Sequence, residues 1–147
     1  TLIATNKVRE VVDWSKYNIG IVHPVYYASK QINIGNSNLK NDVNNIIYPE
    51  LVIVPYPSKD KSQPTFQLLY NNKVFVNAKL SVHAPKEWSK EYKTDNNGVF
   101  SFNPICNGQY VIECIYKEDK AGTFKGKNYE ATRHRATYTL IVNNVKQ

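Results

Sequence analysis

The sequence predicts an all-β protein, a seven-stranded antiparallel β-sandwich with an irregular N-terminal extension. Three observations point there. Eleven tyrosines and five phenylalanines, together with many valines and isoleucines, suit a pleated, half-buried surface better than a helix. Seven prolines and six glycines cut the chain into short segments. Between these breaks, apolar and polar residues alternate with the period of a strand that buries one face.

Residues 1–47 read as the extension, or as the remnant of an upstream domain. In "TNKVREVVDWSKYN", Val8, Val11 and Val12 have helix-like spacing, which predicts one or two helical turns. "PVYYASKQINIGN" predicts a strand ending at Gly35, and "NSNLKNDVNN", with no apolar period, an asparagine-rich loop.

The sandwich domain is expected over residues 48–143. "ELVIVPY" is a short apolar strand stopped by Pro55 and Pro57. "TFQLLY" places Phe66, Leu68 and Tyr70 on one side, and "NNK" turns the chain. In "VFVNAKLSVHA", strict alternation puts Val74, Val76, Ala78, Leu80 and Val82 inward, with Phe75 and His83 outward. "EWSKEYKT" is the next strand and "DNNG" the next turn. "VFSFNP" and "QYVIECIY" flank a turn at Asn107-Gly108, and "ATRHRATYTLIV" closes the domain after a charged loop. Short strands joined by turns in this way build two facing sheets.

The run "TDNNGVFSFNPICNGQYVIECIY" has the form T-D-x-x-G-x-F-x-F…G-x-Y. It resembles the prealbumin-like sandwiches of carboxypeptidase regulatory domains. The segments "YASKQINIGN", "ELVIVPYPS", "LLYNNKVFVNAKLSV", "TDNNGVFSF", "GQYVIE" and "GKNYEATRHRATYTL" follow one another over residues 26–142. Their order is similar to that of a bacterial periplasmic domain-of-unknown-function family associated with nickel and cobalt uptake. The resemblance implies a periplasmic or otherwise exported bacterial protein. It further implies a non-catalytic accessory or binding role linked to transition-metal uptake, with a divalent transition metal as the implied ligand. A membrane transporter or another envelope protein is the implied partner. The absence of methionine adds the expectation that a further segment precedes Thr1.

Composition narrows the alternatives. With 41% hydrophobic and 21% charged residues, the chain is neither disordered nor a helical membrane protein. The net charge of +7 favours anionic partners, yet the lysines are scattered beside acids. That pattern reads as a solvated basic surface and not as a nucleic-acid face. No nucleophile elbow, phosphate-binding glycine loop or placed acid pair is present, so catalysis is not expected.

The candidate sites are few. Alternation in "ATRHRATYTL" sends His134, Ala136, Tyr138, Leu140 and Val142 to the core face, and Arg133, Arg135, Thr137 and Thr139 to the other. His134 is then either a hydrogen-bonded imidazole at the rim of the core or, with His83 and His23, a metal ligand. No H-x-H or H-x₃-H pair supports the second reading. Arg133 and Arg135 together suit one carboxylate or phosphate of a partner, or pair with Glu113, Glu118 or Asp119. Trp14 and Trp88 cover core edges or mark a protein or glycan contact. The separation of Cys106 and Cys114 in extended chain disfavours a disulfide. An interaction module that binds a protein or glycan through edge strands and exposed aromatics is the alternative function.

Overall fold

The structure, a computed structural model, describes residues 2–30 and 47–146. The asparagine-rich loop and the end of the strand expected at Gly35 lie outside them.

The described chain is all-β. In order, it forms β1 (Leu2–Asn6), β2 (Val12–Asp13), a 3₁₀ turn (Ser15–Tyr17), β3 (Ile21–Lys30), β4 (Leu51–Pro55), β5 (Thr65–Tyr70) and β6 (Lys73–Val74). There follow β7 (Lys79–His83), β8 (Ser89–Lys93), β9 (Val99–Ser101), β10 (Gly108–Glu118), β11 (Gly122–Phe124), β12 (Lys127–Tyr129) and β13 (Ala131–Val142). The larger sheet runs β1-β3-β13-β10-β7-β8, with β2 also on β3. In the smaller sheet β5 is central, with β4 on one side and β6 and β9 on the other, and β11 and β12 form a separate hairpin.

The two larger sheets face each other in a sandwich-like arrangement. Leu51, Ile53, Phe66, Leu68 and Phe100 of the smaller sheet meet Leu80, Val82, Tyr110, Ile112, Ala136 and Tyr138 of the larger in one core. Each of these comes from the inward set of its strand, so burial of one pleat face is what brings the sheets together. Phe66 lies opposite Phe100 in register, and its ring packs 4.9 Å from that of Tyr138 across the core.

Three expectations need correction. The larger sheet is mixed, because β3 pairs parallel with β13, Ala131–Thr139 lying against Val22–Lys30. Every other pairing is antiparallel. Strand β3, grouped with the extension on sequence, therefore sits inside the larger sheet. Its Pro24, which has no N–H to give, occupies the stretch that neither β1 nor β2 pairs.

The helical turns expected around Val8–Val12 are replaced by a two-residue strand and the 3₁₀ turn. Val8 is exposed, and Val12 pairs with Val22 instead. Three β-branched residues do not make a helix face large enough to outweigh that pairing.

The inward set of "VFVNAKLSVHA" holds only from Ala78 onward. Val74 and Val76 are 46% and 42% exposed, while Phe75 packs on the core. Asn77 adopts a left-handed backbone (φ 54°) and breaks the strand, so the facing of side chains changes across it. Thr94 holds the break: its hydroxyl donates to the Phe75 carbonyl (2.5 Å) and accepts from the Ala78 N–H (2.8 Å).

The motif "TDNNGVF" behaves as expected. Asp95 accepts from the N–H groups of Asn97 (2.8 Å) and Val99 (2.9 Å). Gly98 has φ +69°, and a Cβ there would lie 3.0 Å from the Leu68 carbonyl oxygen, so only glycine closes this turn against β5.

Candidate functional site

The sites read from the sequence fall on opposite faces of the larger sheet. His134 is on the core face, 4% exposed. Both its nitrogens are engaged, Nδ1 with the Tyr27 hydroxyl (2.8 Å) and Nε2 with the Glu118 carboxylate (2.9 Å). An ionised carboxylate only accepts, so Nε2 carries a hydrogen and Nδ1 accepts from Tyr27 in the neutral imidazole.

The chain of contacts continues in both directions. The Tyr27 oxygen is 3.3 Å from Glu50, whose other oxygen pairs with Lys7. Tyr70, from the facing sheet, packs its ring edge-on against His134 and lines the same cleft as Glu118. Lys7, Glu50, Tyr27, His134 and Glu118 thus form one hydrogen-bonded network drawn from β3, β10, β13 and two loops, with Tyr70 of β5 packed against it.

Its electrostatics follow from this arrangement. The His134 hydrogen bond holds the Glu118 carboxyl below its usual range, against a smaller opposing effect of burial. Burial pushes Glu50 upward, but the hydrogen bond and charge of Lys7 outweigh it and the net direction is down. Burial, reinforced by Glu118, pushes the Tyr70 phenol up to about 12. Tyr27 is raised by burial and then by Glu50. These phenols stay protonated at neutral pH and act as donors.

His23 faces the same side. Its ring stacks on Phe124 (4.3 Å between centroids) under the β11–β12 hairpin, and its buried Nε2 has no partner among the described residues. His23 and His134 line one cleft of about 410 Å³ with Glu50, Glu118 and Tyr129. His83 lies across the sheet on the outer face, 3.8 Å from Glu113.

The structure therefore brings two of the three histidines together and separates the third. Among the described residues, no three His, Cys, Asp or Glu side chains are grouped to hold a metal ion. With both nitrogens of His134 already bonded, the donors present do not fit a divalent transition metal.

Arg133 and Arg135 point outward, as their alternation requires. Arg135 is taken by Glu113, with Nε 2.6 Å from one carboxylate oxygen and Nη2 on the same atom. Arg133 stacks over the Trp14 ring at 5.4 Å, and among the described residues it has no carboxylate within ion-pair distance. Arg9 lies over Tyr26 in the same way, at 5.1 Å.

Cys106 and Cys114 are both free thiols. Cys106 sits beside the Tyr110 hydroxyl, whereas Cys114 is buried with its sulfur 3.5 Å from the Lys79 carbonyl oxygen. Burial, then the neighbouring Glu113, pushes the Cys114 thiol up to about 12, which leaves it protonated and unreactive at neutral pH.

Sequence reasoning missed Tyr27, Glu50 and Lys7 as partners of His134, and Trp14 as the partner of Arg133. Tyr27 and His134 are 107 residues apart, and no local pattern announces a contact set by parallel pairing of distant strands. No family model, curated protein or solved structure matches the chain.

Proposed function

We propose that this chain is a non-catalytic binding module of an exported bacterial protein, a prealbumin-like sandwich that engages an envelope partner through the outer face of its larger sheet. The observation that carries the reading is the contrast between the two faces. The core-side polar groups are mostly consumed by one another, in the network centred on His134. The outer face spans β1, β3, β13, β10, β7 and β8, with Ala28, Thr137, Glu113, Ser81 and Glu91 following one another across it. Ile115 on this face is 44% exposed. Outside the part that Trp14 and Arg9 cover, a sheet face that mixes small, apolar and charged side chains suits recognition better than chemistry.

The order of sequence motifs supports the exported, envelope-associated setting. Holding nickel or cobalt is not part of this role, since the histidine donors of the described residues do not converge.

Cosedimentation with isolated bacterial envelopes tests the reading. The domain is expected to pellet with envelopes, and the variant Ile115→Trp/Thr137→Trp, which adds neutral bulk to the face, is expected to stay in the supernatant with its fold intact by circular dichroism. Equal pelleting of both proteins, or of neither, would overturn it.

A further inference from the structure

The larger sheet ends on two edge strands of opposite character, β1 and β8. An edge strand offers a row of unpaired main-chain groups to any further strand, and proteins blunt it with charge, proline, a bulge or short length. Strand β8, "SKEYK", carries Lys90, Glu91 and Lys93 within five residues. In the smaller sheet β4 ends in Pro55, and β6 and β9 are only two and three residues long. Strand β1, "LIATN", has five residues with neither charge nor proline. It pairs with β3 residue for residue, without a bulge. On its other side, no main-chain hydrogen bond among the described residues reaches it.

Apolar side chains flank this free edge on both faces. Leu2, on the outer face, is 59% exposed. On the inner face Ile3 and Thr5 line a cleft with Ile47, which is 94% exposed. At the middle of the strand the outer face is low, because Ala4 lies in register with Ala28, and Ala28 with Thr137. A second strand can therefore approach the centre of β1 without meeting a bulky side chain.

We propose that β1 pairs antiparallel with β1 of a second copy, about a twofold axis at Ala4, and joins the two larger sheets into one. Such a dimer is independent of the partner proposed for the outer face, and it lays two outer faces side by side. Self-complementarity selects the second copy as occupant. A twofold axis sets each residue against its own copy or its symmetry mate, so a self-pairing strand has to keep like charges apart. Centred on Ala4, the pairs are Ala4 with the partner's Ala4, Ile3 with the partner's Thr5, and Leu2 with the partner's Asn6, all neutral. The first charged residues beyond the strand, Lys7 and the partner's Lys7, fall about 20 Å apart along it. That exceeds the Debye length at physiological salt, and Lys7 is already paired with Glu50. The same operation centred on β8 sets Glu91 against the partner's Glu91. Pairing of β1 satisfies the open main-chain groups and covers apolar surface of Leu2 and Ile3.

Sedimentation equilibrium of the full chain over micromolar concentrations tests the pairing. The parent is expected to be a dimer. Ala4→Lys and Ala4→Glu each place a charge at an exposed position and set it against its own copy. Each is expected to weaken association by about tenfold or more. An equimolar mixture of the two variants is expected to restore the dimer, because only a twofold pairing at residue 4 brings the opposite charges face to face. Ser89→Lys, the same added charge on the opposite edge, is expected to dimerise as the parent does.

A parent that stays monomeric would overturn the dimer, whether or not it pellets with envelopes. A dimer that both variants keep, or that the mixture fails to restore, would place the contact elsewhere and overturn the assignment of β1. Equal weakening by Ser89→Lys would reduce the effect to added charge and overturn it as well.

Discussion

Replacing His134 with alanine is expected to lower the unfolding free energy by about 3–5 kcal/mol, the combined cost of losing a hydrogen bond to a carboxylate, leaving a phenol without its partner and opening a void. The loss has three sources. Glu118 gives up the donor that holds its carboxyl in the ionised form, and Tyr27 gives up its nearest acceptor. The imidazole also leaves a void among Tyr27, Tyr70 and Tyr116, whose ring centroids lie 5.8, 5.7 and 6.2 Å from its own.

Urea denaturation by circular dichroism measures it. An effect within about 0.5 kcal/mol, typical of a surface site, would mean that His134 is not the structural tie described here. The same network has a pH signature. The folded-state pKa of Glu118 is depressed, so its contribution is present above the unfolded value of about 4.3 and is lost as pH falls through the folded one. Glu118→Gln is therefore expected to lose stability at pH 7 and to show a shallower decline towards pH 3.

Two buried tyrosines of the core are expected to respond in opposite ways to loss of the hydroxyl. The Tyr110 oxygen accepts from the N–H groups of Ile105 (3.1 Å) and Cys106 (3.2 Å), and donates to the Cys106 carbonyl (2.9 Å). It closes the turn between β9 and β10. Tyr110→Phe leaves those backbone groups without their partner and should cost about 2–3 kcal/mol. The Tyr138 hydroxyl is buried with no partner among the described residues. Tyr138→Phe removes an unsatisfied polar atom and should be neutral or stabilising by about 1 kcal/mol. Thermal melts of the two variants beside the parent give the answer, and a loss of similar size in both would contradict the hydrogen-bond assignments.

How much of this was legible in the sequence depended on range. "DNNG", "TFQLLY" and "ATRHRATYTLIV" formed the turn and strands expected of them, because turn chemistry and period-two burial are encoded within a few residues. The inward facing of His134 and the outward facing of Arg133 and Arg135 followed from the same alternation. Where a backbone break intervened, at Asn77, alternation carried past it gave the wrong side for Val74 and Val76.

Pairing across the chain was not legible. Parallel docking of β3 on β13 makes Tyr27 the neighbour of His134, yet "PVYYASK" reads equally well as a strand of a separate extension. The arrangement of the three histidines was not legible for a related reason. Residue type suggested ligands, but the faces of two strands put His83 on the far side of the sheet from His23 and His134.

The proposed binding role puts a partner on the outer face and leaves the histidine cleft on the core side as scaffold. Lysine acetylation footprinting of the chain with and without bound envelopes, read by mass spectrometry, tests it most directly. Lys79, Lys93 and Lys117 on the outer face are expected to be protected by the partner, with Lys7 and Lys120 at the cleft reacting as in the free chain. Protection of Lys7 and Lys120, with the outer-face lysines unchanged, would contradict it.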